Sequence, residues 1–453
     1  MARTRDMTTG SPTRHILLFC LPIIAGNAFQ QLYSLVDTFI IGNAESVTEM
    51  TAVSSAGWLD WTVLSIAIGL TQGFGIQIAQ SFGAGDYTQM RKAAGQSLLL
   101  SLATIVVLEV ASQLLLWPVL RLMDTPDEII HLTCLYLRII FGGMALVMGF
   151  NLFSGFLRAV GDSTTPLIAM TTAACINIVL DILFVAVFRW SVAGVAVATV
   201  ISQGASCLIC LNAVLRTPVL HLSREDVKPD AALCAKLMKL GMPIAFQNTV
   251  ISIGGLVLQT VVNGFSFVFV CGFSATSRLT GLIELAGSSL GSAVGTFTGQ
   301  NLGARRLDRV KLGLRRSAQI GVGMALVVAL VMTLFGQPLL GLFINDEDPQ
   351  VVAGALKYAY EYLLMMSAGL PMLYLLFAYR STLQGVGDTF IPMLSGFMEL
   401  AMRIGCVLLL PALIGVWGVY VAEIMAWSGA AILLMWGYYR RIRLLQKDGI
   451  YQA

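Results

Sequence analysis

The chain has 453 residues, 57% of them hydrophobic and only 12% charged, with a formal net charge of +3 and a mean hydropathy of +0.80. A soluble globular protein carries about 25% charged residues, so that class is excluded. The small positive balance gives no ground for a nucleic-acid partner.

Roughly 20 apolar residues cross a bilayer as a helix, and runs of that kind recur along the whole chain. They predict twelve transmembrane helices, at roughly 15–42, 51–80, 91–119, 128–158, 164–188, 192–216, 236–263, 268–300, 311–341, 350–385, 389–413 and 417–440. Basic residues precede the first run, but it is long and lacks a clear small-residue cleavage site, so it reads as a retained helix. Pro22 lies inside it, and Asp37 lies about 7 Å from its outer end at 1.5 Å per residue. In the fifth helix Asp181 lies about 10 Å from the outer end, and Asn177 shares its face one turn earlier. Thr199 of the sixth helix falls at a similar depth. Carboxylates with neutral oxygen donors at one level suit either a sodium ion or a titrating proton. Hard cations prefer oxygen ligands, whereas a carboxylate walled off from water holds its proton to higher pH.

The longest loop, with Pro218 and Pro229, follows the sixth helix. It divides the chain into an N-terminal lobe (1–216), a linker (217–235) and a C-terminal lobe (236–453). The eighth helix carries Gly287, Gly291, Gly295, Gly299 and Gly303, a small-residue stripe that fits tight packing better than a sliding surface. Glu399 and Arg403 stand at i, i+4 and are expected to neutralise each other, and Arg380 near a helix end can snorkel. Asp60, Glu109, Arg138, Arg278 and Glu284 have no obvious local partner, and an intramembrane charge is a functional candidate by default. Cys207-x-x-Cys210 lacks a second pair or a nearby histidine and reads as core.

Charge bias sets the orientation. Twenty-one Lys and Arg fall on the side of the N-terminus, against Arg121, Arg189 and Lys357 opposite, which puts both termini in the cytoplasm. No nucleotide-binding loop of the G-x-x-x-x-G-K-[ST] type is present, so ATP drive is not expected. His15, His131 and His221 lie at helix ends, away from the acidic pair, which argues against an enzyme.

The chain is also written twice. Gln80-Ser-Phe-Gly-Ala returns as Gln300-Asn-Leu-Gly-Ala, Leu157-Arg-Ala-Val-Gly-Asp-Ser-Thr-Thr-Pro as Leu383-Gln-Gly-Val-Gly-Asp-Thr-Phe-Ile-Pro, and Ala-Gly-Val-Ala-Val-Ala around Gly194 as Trp-Gly-Val-Tyr-Val-Ala around Gly418. Three matches in one order at nearly one offset mean two copies of a unit, a common plan for transporters. The expected fold is therefore an all-α polytopic membrane protein of two pseudo-symmetric six-helix lobes.

These repeated loops, with Pro22, Gln30 and Asp37 in the first helix, resemble the multidrug and toxic compound extrusion (MATE) family along essentially the whole chain. The closest likeness is to its bacterial branch with the cation site in the N-terminal lobe. The resemblance implies a secondary antiporter of a bacterial inner membrane. Protons or sodium would enter as amphipathic, often cationic, compounds leave through alternating access, with no cofactor and no partner beyond substrate and lipid, as a monomer. It implies cation coupling through Asp37, Asn177, Asp181 and Thr199, which would be metal ligands only if sodium is the ion, and a hinge at Pro22. Candidate cavity residues are Gln30, Tyr33, Met148, Phe153, Gln247, Asn248, Met398 and Glu423, the last to attract cations or merely to pair. After Pro243 the acidic residue of another branch is missing. The rival reading is a flippase for a lipid-linked oligosaccharide, which the arginines Arg138, Arg278 and Arg403 keep open.

Overall fold

The computed structural model describes residues 4–44, 47–123, 125–344 and 348–448, with the side chains of 32–44, 47, 50, 58 and 186 outside that description. In order the helices are α1 (Pro12–Ala44), α2 (Val47–Gly83), α3 (Tyr87–Leu122), α4 (Asp127–Gly142), α5 (Met144–Ala159), α6 (Thr164–Asp181) and α7 (Ser191–Leu215). After the linker come α8 (Ala231–Val262), α9 (Phe267–Gly303), α10 (Leu307–Gly341), α11 (Pro349–Gly385), α12 (Phe390–Leu409), the single turn α13 (Pro411–Ile414) and α14 (Trp417–Lys447). Among the described residues ten helices are long and apolar enough to cross a membrane, or eleven when the bent pair α4–α5 counts as one.

Glycine chemistry explains the bend. The α4–α5 pair turns by 45° at Gly143, where a Cβ would stand 2.6 Å from a Val200 methyl. Adjacent Gly142 adds backbone freedom at the same point. A different irregularity follows α6, which passes into a π-helix over Ile182–Val187. That wider turn begins directly after Asp181.

The repeated V-G-D-[ST]-x-x-P loop is a helix-starting device. Gly161 and Gly387 take positive φ values of 90° and 81°. Asp162 then accepts from the backbone N–H groups of Thr164 and Thr165 (both 3.0 Å) and from the Thr165 hydroxyl (2.6 Å), while Asp388 accepts from Ile391 N–H (3.2 Å). These bonds satisfy donors that a helix start leaves orphaned.

Contacts divide the chain into two compact units, and the division does not follow the chain simply. The first holds Met1–Asp6 and Leu21–Ala245, the second Met7–Cys20 and Phe246–Ala453. The start of α1 thus belongs with the second unit and the start of α8 with the first. Two glycines let α8 join the first unit. A Cβ on Gly69 would stand 2.4 Å from the Ala245 Cα, and one on Gly73 2.3 Å from the Gly241 Cα. Leu233, Leu237 and Ala245 of α8 accordingly lie in one core with Leu70, Phe74, Leu152 and Phe156.

The core of the second unit is aromatic, with Tyr362 stacked on Phe273 (5.0 Å) and on Tyr420 (5.2 Å). Its glycine stripe is spent on packing of α9 against α11. A Cβ on Gly287 would meet the Tyr374 ring at 2.9 Å, and one on Gly291 the Ser381 hydroxyl at 2.8 Å. The duplication shows equally in what stays outside. Val106, Val107, Val110 and Leu114 of α3 are exposed, and so are Leu326, Val327, Leu330 and Leu334 of α10, 220 residues later in each case. Apolar side chains in such rows suit lipid as their solvent.

Candidate functional site

Two of the four cation-coupling candidates, Asn177 and Asp181, lie on α6. Asn177 and Asp181, one turn apart, are 1% and 0% exposed and project from one face. Among the described residues neither polar atom of the Asn177 amide has a hydrogen-bond partner. A buried amide normally has one, because an unmade bond costs about 1–3 kcal/mol, so Asn177 has unfilled capacity for a ligand. Thr199 lies half-buried on α7, the helix packed beside α6. Its carbonyl accepts from Ser202 (2.9 Å). Asp37 and Tyr33 fall on α1, but their side chains lie outside the described residues. Gln30, earlier on α1, is exposed. Pro22 stands inside α1, one residue past the Cys20–Leu21 boundary where the chain changes unit.

The remaining cavity candidates differ in setting. Met148 is fully buried on α5, and Phe153 is half-buried, edge-on to Phe156 at 6.3 Å. In the second unit Gln247 is buried. It accepts from Gln384 (3.3 Å), and its own amide donates to Ser395 (3.5 Å). Asn248 is half-buried, and Met398 is 37% exposed.

The intramembrane charges pair differently from their local spacing. Arg403 turns away from Glu399 and forms a two-point pair with Glu423 of α14 (3.1 and 2.9 Å). Glu399 instead binds Arg380 of α11. Arg380 therefore does not snorkel; it is 9% exposed and reaches both Glu399 and Ser395. The reason is steric access. Gly254 leaves room for the Arg403 guanidinium, since a Cβ there would lie 2.5 Å from Nη1. Glu284 of α9 stands within electrostatic reach of both pairs. Cys207 and Cys210 are buried, as core residues are. No group of three or more His, Cys, Asp or Glu side chains suited to a metal occurs among the described residues.

The features sequence reasoning missed are the π-turn after Asp181 and the tertiary partners of the arginines. Only Gly254 hinted at the second, as part of the Gly254-Gly255 pair in an apolar helix.

A family model described as MatE matches residues 22–183 and 243–406, one stretch in each copy of the repeat. The chain belongs to the MATE family. It is 30% identical to the probable multidrug resistance protein YpnP of Bacillus subtilis (strain 168), over 84% of each chain. It is 27% identical to YoeA of the same organism, also named a probable multidrug resistance protein, over 96% of this chain and 95% of that one. A solved structure described as the outward-facing conformation of a multidrug resistance MATE family transporter superposes with a TM-score of 0.91. That match has 22% identity and covers 97% of this chain and 98% of the other. As a MATE protein the chain is a multi-pass membrane transporter with a two-lobe helical fold, and it is not an enzyme.

Proposed function

We propose that this MATE protein is a multidrug efflux antiporter, expelling amphipathic, often cationic, compounds as a coupling cation enters through the first unit. Its relatives' names as multidrug resistance proteins support the efflux reading. The single observation that carries the coupling site is the buried pair Asn177–Asp181, where the Asn177 amide has no partner among the described residues. Asp181 and Asp37 supply negative charge; Asn177 and Thr199 supply neutral oxygens. The ion is a proton or sodium, and either would be held by the same oxygens. Binding drives transport only if the two conformations differ in affinity for it, because a ligand bound equally by both shifts nothing. Pro22, beside the point where α1 changes unit, is the proposed hinge that would convert ion binding into movement.

Orientation follows the basic-residue bias: both termini cytoplasmic, in a bacterial inner membrane. The flippase reading loses support at Arg403, whose charge is taken by Glu423 and is not free to meet a pyrophosphate.

The test is dye efflux from proteoliposomes with pH and sodium gradients imposed separately. Asp181→Asn and Asp37→Asn should abolish gradient-driven efflux, and Asn177→Ala should weaken it, without loss of membrane insertion. Full efflux by either aspartate variant would defeat the coupling role, and the gradient that drives the parent protein identifies the ion.

A further inference from the structure

The short segment ahead of α1 is held with more polar contacts than a passive terminus needs. Met7 is fully buried; its N–H donates to the Gln300 side chain (2.9 Å), and its carbonyl accepts from Asn301 Nδ2 (3.2 Å). Arg309, itself 8% exposed, spreads one guanidinium over the carbonyls of Met7 (2.9 Å), Thr9 (3.2 Å) and Gly10 (2.9 Å). Its Nε donates to Asn301 Oδ1 (2.7 Å), and its flat face lies 5.7 Å from the centre of the Phe297 ring. Gly10 takes a φ of 75°, and His15 Nε2 donates back to the Thr9 carbonyl (2.8 Å), so the segment is folded to present three carbonyls in one direction. All these groups belong to the second unit, whose stretch Met7–Cys20 lies along the chain between Met1–Asp6 and Leu21–Ala245 of the first. On one side Arg5 N–H bonds Val160 O (2.9 Å); on the other, α1 from Leu21 onward is part of that unit.

We propose that Met7–Gly10, clasped by Gln300, Asn301 and Arg309, is a releasable latch, seated in one half of the transport cycle and withdrawn in the other. This rests on the reading of the chain as an alternating-access transporter. The clasp acts as a unit, because one buried guanidinium ties the Met7, Thr9 and Gly10 carbonyls together. Its position in the loops at the helix ends lets water replace those carbonyls once the segment leaves, so the released state is accessible. Gln300 is the glutamine of the duplicated Q-x-x-G-A loop, which gives that motif a task in the second copy.

Met7→Cys, in a protein whose eight native cysteines are replaced, reads the latch directly through its reaction with a hydrophilic maleimide. The thiol is shielded while the segment is seated. Labelling should rise several-fold when pH, sodium or a cationic dye such as ethidium shifts the conformational balance. Arg309→Ala should label fast in every condition and lower dye efflux. Joining Met7→Cys to Asn301→Cys with a reducible bifunctional reagent should stop efflux until reductant is added. Three results would overturn the proposal: slow labelling unchanged by all conditions, fast labelling of Arg309→Ala with undiminished efflux, or efflux by the cross-linked protein. Should Arg309→Ala not fold, Asn301→Ala takes its place. If the parent protein moves no dye under any gradient, the efflux reading fails, while state-dependent labelling still decides the latch.

Discussion

Arg403 and Glu423 are each almost wholly buried and joined at two points, so neither charge is tolerable alone. Removing one partner of a buried pair leaves an uncompensated ion and costs about 3–5 kcal/mol, whereas replacing both with apolar groups is often neutral. Arg403→Ala is therefore expected to lower the melting temperature in detergent sharply, and Arg403→Met with Glu423→Leu to recover most of it. A double variant as unstable as the single one would mean the pair is irreplaceable in shape. Local spacing pointed to Glu399 as the partner of Arg403, because i, i+4 neighbours are all that one helix reveals. Which helix packs opposite is a tertiary fact. The face shared by Asn177 and Asp181 was readable for the same reason: it needs only one helix.

At the scale of elements, the duplicated loops were legible because their chemistry is local. A glycine at positive φ followed by a capping aspartate performs the same task wherever it occurs. The π-turn after Asp181 was not legible, since Ile182–Val187 is an ordinary apolar run and nothing in it forbids an α-helix. The linker offers a measurable element of its own. Gln96 donates to the carbonyls of Asp226 (3.1 Å) and Lys228 (2.8 Å) and accepts from Asp230 N–H (3.0 Å). Burial alone would raise the Asp226 carboxyl, but the Ser223 N–H and hydroxyl (both 2.8 Å), with Arg91 and Lys92 nearby, hold it below its usual value. A depressed carboxyl contributes stability above its ordinary pKa of about 3.9 and loses it as pH falls through the lower folded value. Pepsin should therefore leave 221–230 uncut until pH drops below the ordinary carboxylate range, while Asp226→Asn should be cut there at higher pH. Equal cleavage profiles would show that the turn owes nothing to the carboxylate.

On the scale of the whole molecule, the two copies exchange the starts of their first helices. The crossings fall at Cys20–Leu21 and at Ala245–Phe246, next to Pro22 and within three residues of Pro243. A repeat is visible in a sequence because it preserves residue types; an exchange is not, because it depends on which surface each half-helix meets. Proline lacks the N–H that would bond four residues back, so each helix is weakest where it leaves one unit for the other. In the proposed alternating-access cycle, α1 and α8 would bend near these points. Pro243→Ala restores the missing donor and stiffens α8 at its crossing. The expected result is a higher melting temperature and slower dye efflux, with dye affinity unchanged in equilibrium binding to the purified protein. Pro22→Ala should act in the same direction on α1. A Pro243 variant that transports at the parent rate would confine bending to the first copy. The role proposed for the first copy would then extend to the mechanics, with α1 alone carrying the signal from the proposed cation site.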